Sequence, residues 1–141
     1  MGAPTQPPEP TRDADSAFYW SGLERHEILL QRCAACGSTR FPPMPGCTTC
    51  GTEEAEIIRA RPSGTIYSWI VVHRSADPAV RDELPYSIAA VDLDDGVRVF
   101  GRIDGAERPV IEGRVTATFH SQAGWTELRF RPAPGQPGEH S

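Results

Sequence analysis

Four cysteines carry the clearest chemistry in this sequence. Cys33-x-x-Cys36-Gly37 is followed, ten residues later, by Cys47-x-x-Cys50-Gly51. Each CxxC turn puts two sulfurs on one side of a tight loop, with backbone amides turned toward them. The Gly after each second Cys frees the backbone to close that loop. Two such knuckles supply the four soft ligands, about 2.3 Å from the metal, of a tetrahedral zinc site, and no position stays open for water or substrate. The spacing therefore predicts a structural zinc centre on Cys33, Cys36, Cys47 and Cys50. Iron in the same four-sulfur shell stays open as a reading. Disulfides would need an oxidising compartment. A thioredoxin-like redox motif would need a βαβ context, which the sequence lacks.

Little else could do chemistry alone. His26, His73, His120 and His140 are scattered, and no cysteine is left over for catalysis. No serine sits in an elbow or triad motif, and no Gly-rich loop could cradle a phosphate. Asp92, Asp94 and Asp95 flank a hairpin signal and read as turn chemistry, not as a carboxylate pair. All 14 basic residues are Arg, which excludes Schiff-base and P-loop lysine chemistry outright. No catalytic residue is assigned. A net charge of −5 argues against a broad nucleic-acid surface.

The elements that must position the cysteines follow from composition and pattern. Pro4, Pro7, Pro8 and Pro10 crowd the start, and three Pro and two Gly lie between Pro132 and Ser141. Such segments bury too little apolar surface to offset their ordering entropy. Residues 1–14 are expected to be a disordered linker and 133–141 a disordered tail. Residues 15–60 are expected to form an N-terminal helix and the ribbon. Asp15 or Ser16 would cap the helix, and Phe18, Tyr19, Trp20 and Leu23 would give it an apolar side. Ile28 to Leu30 reads as a strand running into Cys33. The ribbon is too small to fold on apolar burial alone, so metal should supply much of its folding free energy.

Residues 61–132 read as strands. They run over Gly64–Arg74, Tyr86–Leu93, Val97–Ile103, Gly113–His120 and Trp125–Arg131, with a polar loop at Ser75–Pro85. Asp94-Asp95-Gly96 marks a tight hairpin, since the turn needs positive φ. Five strands in about 70 residues fit a small OB-type barrel, which removes edge strands. A small open sheet and an SH3-like barrel are the competing readings. The strand aromatics, among them Tyr67, Phe100 and Phe130, are expected mostly in the barrel core. On the first strand Tyr67 and Trp69 would share one face, and Ile66, Ile70 and Val72 the other. One of those faces should meet either the ribbon or another protein. No run of about 18 apolar residues exists to cross a membrane, and nothing resembles a signal peptide, so a cytoplasmic protein is expected.

The ordered motifs FYW-x-GL, ILLQRCAACG, RFPP, CTTCG, GTIYSWIVVHR and PYSIAAVDLDDGVRVFGRI resemble the zinc-ribbon/OB-fold accessory proteins. That family was formerly a domain of unknown function and accompanies acyl-CoA enzymes. The resemblance spans about residues 15–132. It implies a mainly β fold with an N-terminal helix, a rubredoxin-like zinc ribbon and a C-terminal five-stranded OB-fold barrel, and it makes the four cysteines the zinc ligands. Met44 stands where the family often has Arg, and Thr48 where it often has Pro; neither is a ligand position. The resemblance implies a partner that carries the catalytic residues: a thiolase-like lipid-transfer-protein aldolase, a thiolase, or a hot-dog-fold enoyl-CoA hydratase. The barrel would help complete the acyl-CoA site, and some members act in steroid side-chain breakdown. The proline-rich start looks like an interdomain linker of a hydratase fusion.

The function expected is thus that of a non-catalytic subunit of a carbon–carbon lyase, stabilising an acyl-CoA aldolase for retro-aldol cleavage in steroid side-chain degradation. Coenzyme A phosphates would suit bidentate arginines, with Arg74, Arg98, Arg102 and Arg129 as substrate-binding candidates beside the competing reading of solvated surface residues. The alternatives are a single-stranded nucleic-acid-binding module, which would need aromatics in a basic groove, and an independent hydrolase or CoA-transfer enzyme.

Overall fold

In a computed structural model, residues 10, 13–75, 78–105 and 108–134 are described. The segments expected to be disordered, 1–14 and 133–141, lie mostly outside the described residues.

The chain opens with helix α1, Ala17–Glu24. Its cap differs from expectation. Neither Asp15 nor Ser16 caps the helix with its side chain. Instead the Asp13 carboxylate accepts the Ser16 N–H at 2.9 Å, and Ser16 Oγ accepts the Asp13 N–H at 3.3 Å. The reciprocal pair works as a capping box one turn earlier, and the Ser16 bonds hold the Asp13 carboxyl below its ordinary value. At the other end His26 has φ 62. Its N–H donates to the Leu23 carbonyl and that of Glu27 to Gly22, both at 2.9 Å. This is a helix stop that Gly normally serves. Here the strained residue carries a ring that lies 4.9 Å from Phe119, nearly parallel to it.

A three-stranded sheet follows, built from β1 (Ile28–Cys33), β2 (Thr39–Arg40) and β3 (Ala55–Ala60), in the antiparallel order β2-β1-β3. Strand β3 went unread in the sequence. Its outer side keeps Glu56, Ile57 and Arg59 exposed, so AEIIRA shows no clean alternation.

The second half is a closed barrel of β4 (Ser63–Val72), β5 (Tyr86–Leu93), β6 (Arg98–Ile103), β7 (Arg114–Gln122) and β8 (Trp125–Pro132), in the order β4-β5-β6-β8-β7. All its pairings are antiparallel except β6 with β8, which run parallel through Arg102↔Arg129 and Ile103↔Phe130. Closure and this strand order make it an OB fold, not an open sheet. Gly96 takes φ 89 in the Asp94–Gly96 turn, as the hairpin requires. The loop before β5 contains a 3-10 turn, Pro78–Glu83.

Strand β4 overturns two expectations. A bulge between Ile66 and Ser68 shifts its register against β5, and an extra residue reverses the side-chain phase beyond it. Ile66 is buried, yet Ile70 is 62% and Tyr67 55% exposed, while Trp69 is half-buried against the core. Tyr67 and Trp69 therefore do not share a face, nor do Ile66 and Ile70. The aromatics are also not mostly core. Phe130 is fully buried, Trp69 and Phe119 pack at the margin, and Phe100 is 59% exposed.

One apolar cluster joins both halves: Tyr19 and Leu23 of α1 and Ile28 and Leu30 of β1 are continuous with Val91, Val99, Val115 and Phe130 of the barrel. Helix α1 seats on β7 and β8, with Trp20 edge-on to Trp125 at 6.2 Å. The helix thus seats at β7 and β8 and leaves Tyr67 and Ile70 exposed, while Phe100, also exposed, borders the cleft lined by α1 and Phe41-Pro42-Pro43. Among the described residues no helix is long and apolar enough to cross a membrane.

Candidate metal centre

Each cysteine knuckle closes by the same two backbone bonds. The Cys33 N–H donates to the Ser38 carbonyl at 2.8 Å and the Gly37 N–H to the Cys33 carbonyl at 3.0 Å. In the second knuckle Cys47 donates to Thr52 at 3.0 Å and Gly51 to Cys47 at 2.9 Å. Gly37 and Gly51 both sit at φ 79, the left-handed region that suits glycine. The two knuckles bring all four sulfurs within 4.8 Å of one another. Cys33 Sγ lies 3.6 Å from Cys50 Sγ, and Cys36 Sγ 3.6 Å from Cys47 Sγ.

These distances test what the site can hold. A disulfide would draw two sulfurs to about 2.05 Å, and no pair approaches that. Four sulfurs around one ion at about 2.3 Å stand about 3.8 Å apart, close to what is seen. The donor set of four thiols, two buried and two exposed, fits a tetrahedral metal ion with no open position.

The surroundings favour the thiolate at Cys47 and Cys33. Ser38 Oγ lies 2.9 Å from Cys36 Sγ and 3.3 Å from Cys47 Sγ. That hydroxyl, followed by the backbone amides of Cys50 and Thr49, pulls the Cys47 thiol down to about 5. The backbone amide of Cys36 leads in lowering Cys33. Arg40, at the end of β2, is buried and was not singled out in the sequence. Its Nη1 donates to the Met44 carbonyl at 3.1 Å and its Nη2 to the Thr52 carbonyl at 3.0 Å. It ties the loop between the knuckles to the second knuckle. Gln31 on β1 accepts the Met44 N–H at 3.0 Å from the other side. Only the odd placement of an Arg before an apolar-Pro-Pro run could have signalled that role.

The four arginines do not form one site. Arg74 follows β4 with an exposed side chain. Arg98 forms a bidentate pair with Asp92 at 2.7 and 3.1 Å, and its guanidinium lies 3.4 Å from the Tyr67 ring centre. Arg102 and Arg129 do meet, side by side on β6 and β8. Arg102 pairs with Glu83 at 3.0 Å and stacks on Tyr86. Arg129 reaches Glu127 at 2.9 Å and Asp104 at 3.3 Å. Two guanidinium groups thus face three carboxylates. Arg102, Tyr86 and Asp104 line a cleft of about 620 Å³ together with Val71 and Pro85.

Comparison with known proteins agrees with this architecture. A family model described as the ChsH2 rubredoxin-like zinc ribbon domain matches residues 20–56. One described as the ChsH2 C-terminal OB-fold domain matches residues 58–120. A probable enoyl-CoA hydratase alpha subunit of Thermomonospora curvata is 36% identical over 132 residues, covering 92% of this chain and 41% of the relative. The 3-oxo-4,17-pregnadiene-20-carboxyl-CoA hydratase alpha subunit of Mycobacterium tuberculosis is 33% identical over 125 residues, covering 87% and 39%. The chain therefore spans about two fifths of the length of these curated relatives. Among solved structures, a chain of the Ltp2-ChsH2(DUF35) aldolase matches with a TM-score of 0.79 and 32% identity, over 88% of this chain and 98% of that one. With both halves matched in order and a solved relative covered almost end to end, the chain belongs to the ChsH2/DUF35 family of zinc-ribbon/OB-fold proteins.

Proposed function

We propose that this chain is a non-catalytic accessory subunit of an acyl-CoA aldolase of the thiolase-like lipid-transfer-protein type. It binds one structural zinc ion through Cys33, Cys36, Cys47 and Cys50. It stabilises the aldolase and helps form the acyl-CoA site for retro-aldol cleavage, in steroid side-chain degradation in the cytoplasm. The observation that carries this reading is the near end-to-end match to a chain of the Ltp2-ChsH2(DUF35) aldolase. Relatives named as hydratase alpha subunits support a hot-dog-fold hydratase as a further neighbour.

Within the proposal, the arginines differ in what they can offer to coenzyme A. A phosphate at Arg102 and Arg129 would meet three carboxylates in place, and one at Arg98 would have to displace Asp92. Arg74, exposed at the end of β4, is the stronger phosphate contact of the four. The same carboxylate pairing counts against a strand-binding nucleic-acid groove.

The test is a pull-down from native-source extract with the tagged chain, followed by mass spectrometry and metal analysis. A stoichiometric thiolase-like protein is expected, with retro-aldol turnover that depends on adding the chain. Recovery of nucleic acid without an acyl-CoA enzyme would overturn the reading.

A further inference from the structure

The two knuckles share more than their ligands. Each continues Cys-Gly-hydroxyl: Cys36-Gly37-Ser38 and Cys50-Gly51-Thr52. In both, the hydroxyl residue is tied to both cysteines of its own knuckle. Its carbonyl accepts the N–H of the first Cys, at 2.8 Å for Ser38 and 3.0 Å for Thr52. Its hydroxyl lies against the sulfur of the second Cys, at 2.9 Å for Ser38 and 3.2 Å for Thr52. That second Cys is the exposed one in each knuckle, whereas Ser38 and Thr52 are half-buried. Ser38 goes further. Its Oγ is also 3.3 Å from Cys47 Sγ, so a single hydroxyl spans the two knuckles.

In the metal-free thiols Cys50 donates to Thr52 Oγ1; a metal-bound thiolate carries no proton, so there each hydroxyl turns its single proton toward sulfur, Thr52 to Cys50 and Ser38 to Cys36, shared with Cys47. Donation to an anionic sulfur is a charge-assisted bond. It favours the thiolate and fixes the direction of its lone pairs. The exposed sulfurs are the ones that water, protons or a chelator reach first. We propose that Ser38 and Thr52 are positioning residues of the metal centre, which hold the two solvent-facing thiolates in place and set the rate at which metal is released, with Ser38 the stronger of the two. This rests on the reading of the four cysteines as metal ligands.

The experiment uses the full chain loaded with zinc and compares wild type, Ser38→Ala, Thr52→Val and Ser38→Thr. Metal transfer to an excess of a chromophoric chelator gives the release rate. The sulfur-to-metal charge-transfer bands of the cobalt-substituted chain report on the thiolates themselves. Loss of an outer partner typically weakens metal binding about 10–100-fold. Ser38→Ala is expected to release metal about tenfold faster or more, with shifted cobalt bands. Thr52→Val keeps the side-chain shape and should show a smaller acceleration. Ser38→Thr keeps the hydroxyl and should stay near wild type. The backbone bonds of residues 38 and 52 survive every substitution, so a general collapse of the knuckles does not explain a selective change in bands. Unchanged rates and bands in both Ser38→Ala and Thr52→Val, with wild type metal-replete, would overturn this proposal alone. A wild-type chain that binds no metal would overturn the metal reading and this proposal with it.

Discussion

Gly101 is the joint at which β6 closes against β8, and its replacement by Ala tests how the barrel is sealed. The residue is buried opposite Ala89 on β5. A Cβ at this position would lie 2.8 Å from both Cδ2 and Cε2 of Phe130 and 3.3 Å from the Leu128 carbonyl oxygen. Phe130 is fully buried, so its ring cannot swing into solvent. Carbon atoms rest at about 3.5–4.0 Å, so the ring or the strand must move by roughly 1 Å. Overpacking of this kind costs about 1–3 kcal/mol. Restricting the unfolded chain by Gly→Ala offsets only about 0.4–1 kcal/mol. The steric cost wins, and Gly101→Ala should destabilise the chain by about 1–2 kcal/mol. Denaturant unfolding of the metal-loaded chain measures it as a lower midpoint at unchanged slope. Phe130→Leu removes the colliding ring atoms and alone costs roughly 1–2 kcal/mol. The double variant should then lose at least about 1 kcal/mol less than the sum of the singles. A neutral Gly101→Ala, or an additive double variant, would refute the Phe130 ring as what excludes a side chain at position 101.

Other parts of the molecule yield sharper functional readouts. Cys36→Ser should lose stoichiometric metal and the native ribbon, and partner activity with them; full metal content in that variant by elemental analysis would contradict a four-sulfur shell. Arg40→Met leaves the Met44 carbonyl without its buried donor and the Thr52 carbonyl with only the Cys47 N–H, and should cost about 1–3 kcal/mol in thermal or denaturant unfolding. Asp94 is held below its ordinary value of 3.8, chiefly by hydrogen bonds from Arg114 and then Ser63. A depressed carboxyl contributes stability that is present above pH 3.8 and lost as pH falls through its folded value. Stability between pH 5 and about 2 should therefore fall more steeply in wild type than in Asp94→Asn, and parallel curves would exclude the clamp. Removing residues 1–12 keeps the Asp13–Ser16 cap and should leave partner assembly unchanged by size-exclusion chromatography.

What the sequence made legible, and what it hid, divides along physical lines. Tyr86–Leu93 and the Asp94–Gly96 turn were readable because local chemistry dictates them: a short apolar run bounded by Pro85 and a turn in one, a positive φ in the other. The cysteine spacing was readable because only convergence of four sulfurs gives it a purpose. Strand β3 was hidden because a ribbon strand with an exposed outer side carries a mixed pattern. The bulge at Tyr67 was hidden for the opposite reason. A run of Ile, Tyr, Trp, Ile and Val is apolar on both faces, so nothing in it marks the phase reversal. Ser16 takes the N-cap position as read, but its side chain makes no cap bond to the helix and pairs with Asp13 instead, a choice made by the approach of the chain. Glu83 and Asp104 pair with arginines distant in sequence, and Arg40 reaches Thr52 twelve residues on, which no local pattern reveals.

The placement of the metal centre gives it a mechanical role. A shell of four cysteines has no open position for substrate, so its effect on the rest of the molecule must travel through packing. Strand β1 is the route. It ends in the buried Cys33 of the four-cysteine cluster and carries Ile28 and Leu30, both fully buried in the shared core. Leu29 leaves no room for a side chain at Gly22, where a Cβ would approach it to 2.8 Å. The register of β1 therefore sets where α1 lies. The helix in turn places Trp20 against Trp125 and ends in His26 stacked on Phe119, on the two strands β7 and β8. Aromatic pairs of this kind are worth about 0.5–1.5 kcal/mol each and add to the apolar core that Tyr19, Leu23, Ile28 and Leu30 share with the barrel. The cysteine cluster bears on that seat through the register of β1. Seating α1 on β7 and β8 leaves Ile70 of β4 exposed, while Phe100 of β6 borders the cleft that α1 and Phe41-Pro42-Pro43 form with Trp125 and Leu128.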